Sequence, residues 1–438
     1  MEHDAAAPST TRRTEAEALR NLPAVLQLCQ AGKLRCSATT RRPSAATVRT
    51  VAETLVAGDF HPDDAIAAFA WPLLVQAGGL ARLDGTRLEL TPRGRRALGQ
   101  PAHEVIGDIW ARWPKHAAID EFSRVEAIKG QKAAGALSAA GPRRQAATAA
   151  LASCPPGEWL GVDDLFRVVG RAAPQLSIAR SERALWKLYL EDPEYGSLGY
   201  DGFHEWPIVE GRYVLAVLFE YAAPLGLLDV EYVPAEGARD DFRHLWGADW
   251  VPALSRYDGL LAVRLTSLGA YAAGLAPTYV PAPVVRERVL QVLPNLDVVA
   301  VADLDPGDRL VLDAFAVRTA DRVWTVSMAG LLSAVDAGRQ PGEFTDFLSA
   351  RAVHGLPAAL RTLVDDVNAR TRQVRDLGLR HVLECADEQV ATLLERDRSL
   401  RGLCTRIGAR HLLLDPAGEE KARTALRKLG HPLGPATR

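Results

Sequence analysis

Leu293-Pro294-Asn295-Leu296-Asp297-Val298-Val299-Ala300-Val301-Ala302 is the stretch on which the reading of this chain turns. Residues 296–302 are short and β-branched, the pattern of a buried strand. Residues 288–293 read as a strand before it, joined at Pro294-Asn295. Outward from there, Asp305-Pro306 supplies a cap and a first-turn proline, which start a helix. Leu310, Val311, Ala314 and Phe315 share a side of it. Residues 322–326 read as a strand. Ser327 caps a helix with Leu331, Leu332 and Val335, and Gly338 ends it. Phe344, Phe347 and Leu348 mark a short helix. Leu360, Leu363, Val364 and Val367 fall at i, i+3, i+4 and i+7, one face of an amphipathic helix. The chain then alternates a strand at 380–385, a helix with Val390, Leu393 and Leu394, and a strand at 411–414. A last helix stops at Gly430-His431-Pro432.

This order resembles the N-terminal domain of XPB-type helicases, in the bacterial form found in helicase-associated proteins. The residues that carry the resemblance are 293–301, Val323-Trp324-Thr325-Val326-Ser327, and Gly338 with Glu343, Phe344, Phe347 and Leu348. Leu356-Pro357 and the closing Leu429-Gly430-His431-Pro432-Leu433 carry it too. It covers about a third of the chain, residues 284–433. It implies an α+β module tied to DNA-processing machinery in a bacterial cytoplasm, and it does not imply that this chain is a helicase.

With 438 residues, two to four domains are expected. The net charge of −2 gives no overall basic field. Arg outnumbers Lys by 45 to 7. A GC-rich coding bias explains that ratio, and selection for phosphate contacts would also produce it. Cys29, Cys36, Cys154, Cys385 and Cys404 contain no Cys-x-x-Cys pair, which argues against a zinc ribbon or a disulfide framework. The polar first 20 residues are read as disordered and as no signal peptide. No run of about 18 apolar residues is present, so neither a membrane span nor a membrane partner is expected.

Residues 21–100 read as a winged-helix-like domain. Leu22, Val25, Leu26 and Cys29 define a first helix, and residues 33–37 a short strand. Ser44 caps a second helix, and Asp63-Asp64 opens a third. Asp84-Gly85 turns a hairpin, and Thr91-Pro92 starts a last helix. The ending recurs: Leu90-Thr91-Pro92-Arg93-Gly94 is matched by Leu265-Thr266-Ser267-Leu268-Gly269. Residues 143–275 are therefore read as a second winged-helix-like domain. Residues 101–142 are read as a helical connector, and the proline-bearing stretch at 276–283 as a linker. The fold class expected is α+β: tandem winged-helix-like units followed by the helicase-associated domain.

No Gly-x-x-x-x-Gly-Lys-Ser/Thr phosphate cradle occurs, which argues against a motor ATPase. No Gly-x-Ser-x-Gly elbow is present either. His204-Glu205 and Asp240-Asp241-x-x-His244 invite a metal reading, but there is no His-x-x-x-His pair. No catalytic, cofactor or metal residue is therefore assigned. Cys29, Cys154 and Cys385 sit on apolar faces, as core residues do. The acidic, aromatic insert at 186–257 holds Trp186, Tyr195, Trp246 and Trp250 among others. It fits a structural insert or a protein-binding surface, or base stacking if positive charge lies nearby.

Both third helices are nearly all apolar and read as buried. Phosphate contacts are therefore sought on Arg41, Arg42 and Arg49, on the wing and its helix (Arg87, Arg93, Arg95, Arg96), on Arg143 and Arg144, and on Arg370, Arg372 and Arg375. The function expected is a non-catalytic DNA-associated accessory protein, partnering a separately encoded helicase or nuclease. A protein-interaction scaffold using winged helices is the alternative. An enzyme with a site in the aromatic insert is the third reading.

Overall fold

Two short chain segments set the frame of the protein, and they are built identically. Gly79 (φ +69°) and Gly226 (φ +75°) each end a helix in the left-handed region. Thr91 Oγ1 donates to the Gly79 carbonyl at 2.7 Å and accepts from the Gly94 amide at 3.1 Å. Thr266 Oγ1 donates to the Gly226 carbonyl at 2.7 Å and accepts from the Gly269 amide at 2.9 Å. The Thr91 amide reaches the Leu80 carbonyl, and the Thr266 amide the Leu227 carbonyl. The threonine thus caps the following helix and ties it to the start of the hairpin. A glycine three residues on lets the helix touch that backbone. The Leu-Thr-x-x-Gly repeat is a structural repeat.

The computed structural model describes residues 8–199, 205–281, 288–371, 373–374 and 380–434. It is α+β, and it divides into compact units at Met1–Val364 and Asp365–Arg438. Among the described residues, no helix is long and apolar enough to cross a membrane.

In the first repeat, helices Thr14–Gln30, Ala45–Thr54 and Ala67–Ala77 precede the hairpin of Ala81–Asp84 and Arg87–Leu90. Ser44 caps the second helix as the sequence indicates. The third is capped differently. Asp59, not Asp63-Asp64, takes the amides of Ile66, Ala67 and Ala68, and the helix begins at Ala67. In the second repeat, helix Ala140–Leu151, strand Trp159–Gly161 and helix Val162–Ala172 precede a helix over residues 207–222. That helix is π-helical at both ends, around an α-helical Arg212–Ala216. Strands Leu228–Tyr232 and Leu260–Leu265 follow.

Two expectations about this region are corrected. The N-terminus is ordered from Thr10. Thr10–Arg12 pairs antiparallel with Leu228–Tyr232, at the edge of the second repeat's sheet. The Thr14 amide caps onto Asp229, and Arg12 donates to the Gly58 and Asp59 carbonyls. Residues 101–142, expected as a helical connector, do carry a helix, and it is part of the core and no mere link. Helix Ala102–His116 buries Val105, Ile106, Ile109, Trp110 and Trp113 in a core that runs without a break from Ala18 to Tyr279. The two repeats therefore share one interior. Their third helices, Ala67–Ala77 and 207–222, are buried and in contact. Phe60 lies edge-on to Phe219, with centroids 5.0 Å apart.

The expected 284–433 domain is divided. Its first part is a sheet in which Leu290–Val292, Asp297–Ala300, Val323–Val326 and Ala316–Ala320 lie side by side in that order, all antiparallel. The turn at 293–296 places Leu296 at φ +71°. Strand Ala316–Ala320 is not among the elements the sequence pattern indicates. Its outer residues are exposed, so burial left no alternation to find. Helix Pro306–Phe315 packs on Thr14–Gln30, with Arg20 paired to Asp305 and Gly307 against Ala24. Helix Ala358–Thr371 carries the chain across the division. The second unit is a three-stranded antiparallel sheet, His381–Glu384, His411–Leu414 and Cys404–Arg406 in spatial order. Helices Glu388–Arg396 and Glu419–Lys428 supply Ala391, Leu394, Ala422 and Leu426 to its core.

A Cβ at Gly94 would stand 2.0 Å from the Leu80 carbonyl oxygen, and one at Gly269 2.1 Å from that of Leu227. Neither backbone can give way without breaking the threonine clamp. Gly94→Ala and Gly269→Ala are each expected to cost about 2 kcal/mol or more in urea unfolding. Gly85→Ala has open space but φ +57°, and should cost only about 1 kcal/mol.

Candidate nucleic-acid interface

The hairpin of the first repeat has a third strand-like neighbour. The Cys36 amide donates to the Thr86 carbonyl at 2.8 Å, and the Leu88 amide to the Leu34 carbonyl at 2.9 Å. This pairing sets Arg35 directly opposite Arg87. Both side chains are exposed. Like charges facing across a strand pair are unfavourable. The nearest carboxylate is Glu89, 3.8 Å from Arg87 and itself well exposed. Arg82 and Lys33 are exposed on the same group of strands. Between residues 31 and 100 there are ten Lys and Arg against six Asp and Glu, so this repeat is locally basic within a near-neutral chain.

The arginines expected to contact phosphate separate into three classes. Arg41, Arg49, Arg95 and Arg96 are exposed and have no side-chain ion pair among the described residues. Arg41 sits at φ +63° in the turn between the third strand and the second helix. Arg95 and Arg96 lie in the short helix Pro92–Ala97 behind the hairpin. Arg42 and Arg93 are partly engaged, Arg42 by the Ser123 hydroxyl at 2.7 Å and Arg93 by Asp108 at 2.6 Å.

Arg143 and Arg144 are buried, which corrects their assignment. Arg143 pairs with Asp120. Arg144 holds both oxygens of Glu121, at 2.8 and 3.0 Å, and donates to the Ile119 carbonyl. They fasten helix Ala140–Leu151 to the 120–124 turn and offer nothing to solvent. Arg370 is exposed on helix Ala358–Thr371, and Arg372 and Arg375 lie outside the described residues. Arg35 was missed. The alternation Lys33-Leu34-Arg35-Cys36, charged out and apolar in, was the available signal.

The other candidate chemistries meet structural partners. Asp241 accepts from Arg212 at 2.6 and 2.7 Å and from Arg239 at 3.1 Å. Burial alone would raise its carboxyl, and these two guanidinium groups hold it below the usual range instead. His244 Nε2 lies 2.6 Å from Glu205, and His204 is outside the described residues. Among the described residues, no group of three or more His, Cys, Asp or Glu is placed to hold a metal ion. Burial pushes the Cys36 and Cys154 thiols up to about 11, so they stay protonated at neutral pH.

The buried and exposed arginines should separate cleanly under mutation. Arg144→Ala leaves Glu121 ionisable and unpaired in the interior, and is expected to cost about 3–5 kcal/mol in denaturant unfolding. Arg95→Ala/Arg96→Ala should stay within about 0.5 kcal/mol of the parent.

Residues 290–407 match the family model described as helicase conserved C-terminal domain, just over a quarter of the chain. No curated protein matches the chain. The C-terminal region is helicase-related.

Proposed function

We propose that this protein is a non-catalytic, DNA-associated accessory factor that works beside a helicase or nuclease carried on another chain. One observation carries the reading. The first repeat keeps Arg41, Arg49, Arg95 and Arg96 exposed and unpaired, next to an Arg35–Arg87 opposition that phosphate would relieve. The helicase-related region at 290–407 supports the same setting. In this reading both repeats are winged helices, and the resemblance of residues 284–433 to the N-terminal domain of XPB-type helicases marks an accessory module without a motor. No phosphate-cradle motif occurs in the sequence.

The mode of contact follows from burial. A winged helix that reads bases does so with its third helix in the major groove. The third helices of this protein are buried against each other. DNA is therefore held by wing and turn arginines on its phosphates, with little sequence preference. The same burial favours a second reading, in which the winged helices serve only as a protein scaffold. Salt separates the two, because each phosphate contact makes affinity fall with salt.

Single-stranded, duplex and forked DNA titrated at about 50 and 200 mM salt should show affinity dropping steeply over that range. Arg93→Ala/Arg95→Ala/Arg96→Ala should weaken binding and lower the salt slope by about two units, because Arg93 is already committed to Asp108. Adding Arg41→Ala and Arg49→Ala should remove about two more. Binding at low salt that ignores all five changes removes the wing assignment, and no binding at low salt leaves the scaffold reading.

A further inference from the structure

We propose that the tip of the insert, around Tyr195, Trp246 and Trp250, docks a lysine- and arginine-bearing segment of a partner protein. The three side chains are 57%, 53% and 82% exposed, and exposed apolar surface gathered in one place marks interaction sites. Two of them share one surface, and Trp250 follows Trp246 by four residues. The Tyr195 and Trp246 rings lie 5.6 Å apart and tilted. Gly247, at φ +82°, seats its turn on Glu191, 3.3 Å from where a Cβ would be. Asp192 accepts the amides of Glu194 and Tyr195 and so fixes the opposite turn.

Charge selects the occupant. Glu191, Asp192 and Glu194 lie on one turn and Asp249 on the other. Glu194 and Asp249 have no side-chain partner among the described residues. These four acids outnumber the neighbouring cations, Lys129, which pairs with Glu191 at 3.3 Å, and Arg243, which is held by the carbonyls of Ala248, Val251 and Pro252. A nucleic-acid stacking platform needs free positive charge beside its aromatics, and these carboxylates repel phosphate. A second copy of the chain docked about a twofold axis would set carboxylate against carboxylate. A cationic peptide meets neither objection. Its ammonium and guanidinium groups stack on the indole and phenol faces and pair with the acids around them.

The test uses the full chain with three fluorescein-labelled probes: a peptide of alternating arginine and glycine, its glutamate counterpart, and oligothymidylate. Anisotropy and tryptophan emission are read together. The cationic peptide should bind and shift the emission, and the acidic peptide should not bind. Trp246→Ala and Trp250→Ala should each weaken binding about tenfold, with circular dichroism unchanged because both rings face solvent. Glu194→Gln/Asp249→Asn keeps the rings and should weaken binding several-fold with a shallower salt dependence. Equal affinity of parent and variants for the cationic peptide overturns the proposal. So does oligothymidylate binding that Trp250→Ala abolishes, which would make the tip a base-stacking surface. Self-association in sedimentation that is lost in Trp250→Ala would reassign the tip to a contact between copies.

Discussion

The helix over residues 207–222 is buried from Ile208 onward, yet it carries Glu210, Arg212 and Glu220 with no exposed surface. A charge in such surroundings is tolerated only if it is paired and its hydrogen bonds are met. Their partners come from several parts of the chain. Glu220 receives Arg124 at 2.9 Å and the Tyr257 hydroxyl. Burial raises its carboxyl, and Arg124 acts against that. Arg212 is gripped by Asp258 and Asp241. Glu210 accepts the Ile178 amide. The 121–124 turn, the insert and the 254–258 turn are thereby fixed to one helix. Removing Arg124 would take from Glu220 its counter-charge in the interior. Within 101–142, Arg124 is thereby tied to the interior, beside the apolar residues that helix Ala102–His116 buries there.

The same constraint bears on how the two repeats could meet a nucleic acid. Sealing both third helices in the interior removes the surface that a groove-reading winged helix would use. What remains outside is peripheral: the hairpin with its strand-like neighbour, the short helix behind it, and the tip of the insert. The first two are basic and the last is acidic and aromatic, and all of them sit on the unit ending at Val364. The two surfaces have opposite electrostatic preferences, so a polyanion and a cationic protein segment need not compete for one site.

Features whose cause lies within a few residues were legible in the sequence. Ser44, Thr91, Ser327 and Thr266 cap helices through contacts three residues away. Asp84-Gly85 turns its hairpin, and Gly338 ends its helix at φ +81°. What was not legible depends on distant partners. Thr10–Arg12 is too short to announce itself, and it becomes a strand only against residues 230–232. Asp59 won the cap over Asp63-Asp64 because the 59–66 loop folds back onto the helix end. Strands Ala316–Ala320 and Cys404–Arg406 have mostly exposed or half-buried residues and show no apolar alternation. In the candidate site, Arg41, Arg49, Arg95 and Arg96 do face solvent. Arg143 and Arg144 do not, and nothing local distinguishes the two sets.

That last failure bears on the chain's excess of arginine. Many of its arginines are joined to carboxylates through two guanidinium nitrogens or against two carboxylate oxygens: Arg144 with Glu121, Arg212 with Asp241, Arg339 with Glu343, Arg351 with Asp308. A lysine ammonium cannot reproduce that fork, nor keep its charge as firmly in the interior. Arginines of this kind fasten the fold, so arginine content taken alone says little about nucleic acid. The signal that survives is positional. Where Arg35 and Arg87 face each other at the surface, their intramolecular contacts are long, 3.4 Å from Arg35 to the Thr86 hydroxyl and 3.8 Å from Arg87 to Glu89. In the reading proposed above, an anion from outside the chain would relieve that opposition of like charges.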